Sequence, residues 1–154
     1  MNRINIKRMV LGALAMFVVW VALEVLVEHV IAQFFLGQTS AEMWQQAIDV
    51  REWSGINAAV STALAILNCT ILIWLYASLR PMYGVGTKTV LITSVFALAW
   101  IYSFFINISN MGLIPSQLAF LEAIFETVEF PVAMFVGAGV YEGKDEAGDA
   151  LVPD

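Results

Sequence analysis

Residues 116–141 read SQLAFLEAIFETVEFPVAMFVGAGVY. A helix needs about 20 residues to cross a hydrocarbon core of about 30 Å, and this stretch is apolar enough and long enough to do so. It nevertheless carries Glu122, Glu126 and Glu129. Their i, i+4, i+7 spacing sets all three carboxylates on one helical face. The run therefore reads as a membrane helix with one acidic side, packed against something other than lipid. A second apolar run holds LEVLVEH at residues 23–29, which places Glu24 and Glu28 one turn apart. Each carboxylate in hydrocarbon costs on the order of 2 to 3 kcal/mol even on a lenient insertion scale, so five of them ask for a reason.

Composition points the same way. The chain has 154 residues, of which 60% are hydrophobic and only 13% charged, with a mean hydropathy of +0.81. These values describe an integral membrane protein of one domain rather than a soluble one. Protonation of the five intramembrane carboxylates would bring the formal charge from −6 to −1, so the acidic balance does not define a partner. Seven scattered Lys and Arg form no basic stripe, which argues against nucleic acid. Cys69 is the single cysteine and can form no disulfide within the chain.

Four apolar runs reach spanning length, at about 9–35, 54–79, 89–111 and 116–141, giving an all-α, integral membrane four-helix bundle. The first begins after MNRINIKR, a signal-like charge pattern, but its length and its two Glu favour a retained helix. Arg3, Lys7, Arg8, Arg80, Lys88 and Lys144 fall on one side and Arg51 alone on the other. Both termini are accordingly expected to be cytoplasmic, in a bacterial inner membrane. Thr39 and Glu42 have the spacing of a capping box, opening a short amphipathic helix to about Glu52. That segment is expected at the outer membrane surface, with a lid over the bundle as the alternative. RPMYGVGTK, between the second and third runs, has part of a phosphate-loop pattern without its spacing or preceding strand, and reads as a turn. Residues 142–154 read as a disordered acidic tail.

Depth aligns the acidic faces. At 1.5 Å per residue from the outer ends, Glu28 and Glu24 lie about 11 and about 17 Å deep, and Glu122, Glu126 and Glu129 about 9, 15 and 20 Å deep. The third span adds a stripe of Trp100, Ser103, Asn107 and Asn110, and the second a stripe of Ser54, Asn57, Ser61 and Asn68. A bundle that buried every polar face would turn these stripes toward the carboxylates, with Asn57, Ser61, Trp100, Ser103 and Asn107 supporting the site. Interhelical hydrogen bonding without further function is the competing reading of these uncharged residues. Trp20 and Trp100 sit at mid-membrane depth, where their indole N–H groups call for internal acceptors. Trp44 and Trp53 fit an aromatic belt. Pro131 is expected to release the carbonyl at Thr127. Ala133 and Gly137 form a small-xxx-small pair suited to close helix contact.

Carboxylates clustered at low dielectric relieve their repulsion by taking protons or sharing a cation. The candidate ligands are Glu24, Glu28, His29, Glu122, Glu126 and Glu129. Oxygen ligands alone suit Mg, Ca or Mn, and His29 would admit Fe or Zn, so a divalent metal ion is the possible cofactor. Three readings follow. The first is a non-enzymatic proton or metal site serving transport or sensing. The second is an assembly subunit whose acidic face pairs with another membrane protein or a second copy of itself. The third is a metal-dependent membrane oxidoreductase. Di-iron bundles take Glu-x-x-His pairs from two helices, whereas here one His adjoins Glu28 and the second and third spans hold no carboxylate. No catalytic triad or metalloprotease motif is present in the sequence, which favours a protein that is not an enzyme.

Overall fold

In a computed structural model the described residues are 4–27, 34, 37, 40–47 and 55–143. Every regular element among them is helical: α1 (Ile6–Leu26), α2 (Ser40–Ala47), α3 (Gly55–Tyr83), α4 (Thr87–Asn110) and α5 (Ser116–Glu142). α1, α3, α4 and α5 are long and apolar enough to cross a membrane. They match the four expected runs, with ends displaced by a few residues. The end of α3 is displaced by four residues, continuing through Pro81 to Tyr83, and α1 ends at Leu26, short of the expected 35, with residues 28–33 and 35 outside the described residues. Glu42 falls in the first turn of α2, but Thr39 of the proposed capping box lies outside the described residues.

α5 is the hub. It packs most extensively on α1 and α4, while α3 closes the bundle between them and touches α5 across it. The sequence of α5 explains this position. Ala119, Ala123, Ala133, Gly137 and Ala138 recur along its buried face, and small side chains let helix backbones approach in a setting where lipid offers no hydrophobic drive to association. The closest approach is to α1. A Cβ on Gly12 would stand 2.7 Å from the carbonyl oxygen of Gly137, and one on Gly137 would stand 2.8 Å from Cβ of Met16. Both glycines are required by space, and the small-xxx-small pair is used inside the chain. Outward, the helices present Leu11, Val18, Val25, Leu67, Trp74 and Val128, an apolar surface matched to lipid.

One end is locked by polar contacts. Arg8 Nη1 donates to the main-chain oxygen of Glu142 (2.6 Å), Tyr76 Oη donates to Glu142 Oε1 (2.7 Å), and Arg80 Nη2 pairs with Glu142 Oε2 (3.2 Å). The Gly86 N–H donates to Tyr76 Oη (3.4 Å), bringing in the α3–α4 turn. Glu142, expected as the first residue of the tail, is instead the last residue of α5 and the centre of a latch joining α1, α3 and α5. Residues 144–154 lie outside the described residues. α5 continues through Pro131 to Glu142, although the proline nitrogen has no hydrogen to donate to the Thr127 carbonyl.

Candidate intramembrane carboxylate site

The acidic face of α5 points inward along its length. Glu122, Glu126 and Glu129 are 7%, 8% and 1% exposed, although each is a residue type rarely buried. Glu129 is two residues from Pro131 and next to Phe130. The half-buried Glu24 of α1 joins Glu126 and Glu129. One carboxylate oxygen of each of the three lies within 4.8 Å of the others. The acids of the first and last spans therefore meet, as the depth argument required.

Tryptophans frame this meeting. Trp20 stands one turn before Glu24 on α1 and donates its indole N–H to Glu126 Oε2 (3.2 Å) while its ring tilts against Phe130 at 5.3 Å. The expected internal acceptor for Trp20 is thus a member of the cluster. Toward the other end Glu122 is held separately, accepting a 2.8 Å hydrogen bond from the indole of Trp44 on α2. Met43 and Trp44 also pack on the cluster of Ile114, in the turn before α5, with Leu118 and Ala119 at its start. Sequence reading assigned Trp44 to an aromatic belt. Nothing in local spacing could have joined residues 44 and 122, since the contact depends on where an intervening connection places α2.

The supporting polar set is placed differently from the expectation. Trp100 is 74% exposed, and Ser61, Ser103 and Asn107 are exposed on the outer faces of α3 and α4. None of these is turned toward the carboxylates. The reason lies on the opposite side of α4, where Thr89, Val90, Thr93, Ser94 and Ala97 are buried. Thr93 and Ser94 donate to the carbonyls of Thr89 and Val90, each at 2.9 Å. Hydroxyls that bond back to their own helix need no partner across the bundle, so small size and not polarity decided the rotation of α4. α4 nevertheless reaches α5 through Tyr102, whose hydroxyl is 2.8 Å from Thr127 Oγ1, itself a donor to the Ala123 carbonyl. Glu28, His29 and the side chain of Asn57 lie outside the described residues.

The candidate ligands among the described residues are thus three carboxylates from two helices, an all-oxygen group of the kind that suits protons or a hard divalent cation. Cys69 belongs to the apolar core with Ile73 and Tyr76. No family model, no curated protein and no solved structure matches this chain, so its function is read from these side chains alone.

Proposed function

We propose that Glu24, Glu126 and Glu129 form a cation site inside a four-helix membrane protein, taking up protons or one hard divalent metal ion for transport or sensing. The observation that carries the reading is the approach of three carboxylates, from two helices, to within 4.8 Å of one another inside an apolar bundle. Groups so placed are expensive unless a proton or cation is shared among them, and such residues in membrane helices are functional by default. Trp20 orients Glu126 through its indole, as a neighbouring donor orients a ligand. Trp44 on Glu122 gives α2 a hold on the same helix, so α2 serves as an interfacial lid above the site.

The membrane orientation belongs to the same proposal. Lys7, Arg8, Arg80 and Lys88 all fall at the latched end of the helices. Under the positive-inside rule that end faces the cytoplasm of a bacterial cell, both termini with it, and α2 lies on the outer surface.

The test is metal analysis of detergent-purified protein, extracted without chelator, beside carboxyl infrared titration of the same samples. A bound equivalent of Mg, Ca or Mn that disappears in both Glu24→Gln and Glu126→Gln supports the metal form. A protonated carboxyl band lost in those variants supports the proton form. Metal-free protein whose carboxyl groups titrate like exposed acids rules out both.

A further inference from the structure

We propose that α3 is the seam of a parallel homodimer, organised by the amide of Asn68 at the middle of the membrane. Ser61, Leu64, Asn68, Ile71, Leu75 and Ser78 follow one another at spacings of 3, 4, 3, 4 and 3. Five of the six are exposed and Leu75 is half-buried. The opposite side of α3, with Cys69, Ile73, Tyr76 and Ala77, is the side buried in the bundle. The seam is therefore a heptad stripe directed away from the rest of the chain, on the span least covered by the other helices.

Asn68 is the anomaly in it. The residue lies thirteen positions from Gly55 and fifteen from Tyr83, about 20 and about 22 Å from the two ends of α3. Among the described residues its side chain makes no hydrogen bond, and lipid tails can offer it none. The nearby Thr70 shows the alternative, bonding back to the Ile66 carbonyl at 2.8 Å.

A second copy is the occupant that fits without further assumption. Two copies insert in one orientation, so a two-fold axis along the membrane normal sets α3 parallel to its equivalent, every residue at the depth of its own counterpart. An amide carries both donors and acceptors and is complementary to itself, whereas a different partner would have to supply a matching polar group at this depth. The 3–4 spacing is that of a left-handed helix pair, and one Asn at a core position flanked by Leu64 and Ile71 fixes register in such pairs.

The full chain, labelled singly and reconstituted in phosphatidylcholine and phosphatidylglycerol liposomes, is counted by photobleaching over a dilution series. Wild type is expected to dimerise, with Asn68→Leu weakening association about three- to thirtyfold and Asn68→Gln retaining it. Asn107→Leu on the exposed stripe of α4 should leave association unchanged. In membranes treated with copper phenanthroline, Leu64→Cys and Ile71→Cys should form disulfide dimers by loss of two electrons to the oxidant. Wild type, with its buried Cys69, and Ala63→Cys on another exposed face should not. Monomers at every density, equal cross-linking at Ala63→Cys, or dimers lost in Asn107→Leu and kept in Asn68→Leu would each overturn the assignment.

Discussion

Helix α5 carries glutamates in two settings, and the contrast between them separates scaffold from site. Glu142 ends the helix among cations and donors that the chain itself supplies: Arg80 and Tyr76 on its carboxylate, and Arg8 on its carbonyl. Glu126 and Glu129, halfway along, meet another carboxylate and an indole, while Lys7, Arg8, Arg80 and Lys88 all belong to the latched end. In the first setting opposite charges close a structural joint. In the second, like groups converge in an apolar setting, where a shared proton or cation would relieve their repulsion. The same residue type on the same helix therefore holds the fold together in one place and forms the proposed cation site in the other.

Substitutions at the α1–α5 crossing strike both settings at once and should be the most damaging. Gly12→Ala or Gly137→Ala drives a Cβ against main-chain or Cβ atoms that cannot swing aside. Each should cost about 1–3 kcal/mol in detergent unfolding followed by circular dichroism, with Val at either position worse. The wider helix spacing should also abolish cation uptake, and normal uptake in Gly137→Ala would separate the site from the crossing. Next, Glu142→Ala leaves Arg80 and Tyr76 without their carboxylate and should cost about 2 kcal/mol in the same assay. Cation binding should persist there, because the latch and the cluster occupy different levels.

Smaller effects sharpen the contrast. Trp20→Phe keeps the ring against Phe130 and deletes only the donor to Glu126, which should cost about 1 kcal/mol and weaken cation affinity measured by titration calorimetry. Trp44→Phe should cost a similar amount and leave the Glu24, Glu126 and Glu129 site bound. The smallest change in stability belongs to Glu126→Gln, which removes one carboxylate from a crowded site. Its unfolding free energy should fall within about 0.5 kcal/mol of wild type or rise above it. A loss as large as that of Glu142→Ala would make the cluster a second structural joint and sink the distinction.

Much of the architecture was legible because it follows from length and periodicity. Four apolar runs gave four helices, and the i, i+4, i+7 spacing of Glu122, Glu126 and Glu129 gave a face that is buried throughout. Depth counting brought Glu24 to the level of Glu126, and the structure places them together. The rotations of α3 and α4 were not legible in the same way. On α4 the Ser, Asn and Trp stripe turns outward while buried Thr93 and Ser94 satisfy themselves on their own backbone, and on α3 Ser61 and Asn68 are exposed opposite the buried Cys69, Ile73 and Tyr76. Contacts across long separations, Trp44 with Glu122 and Arg80 with Glu142, leave no trace in local spacing. Glu142 was also concealed by its position at the head of a polar run, where composition suggested a tail.

The bond from Arg8 to the final carbonyl of α5 sets the beginning of the first span beside the end of the last. A short peptide joining the two, with new ends opened in the 84–86 turn, would give the order α4, α5, α1, α2, α3. The join and the new ends lie at one end of the bundle, so every span would keep its direction through the bilayer. A circular permutant of this kind should insert and assemble as the native chain does, since the helix order around the bundle is closed and has no preferred starting point.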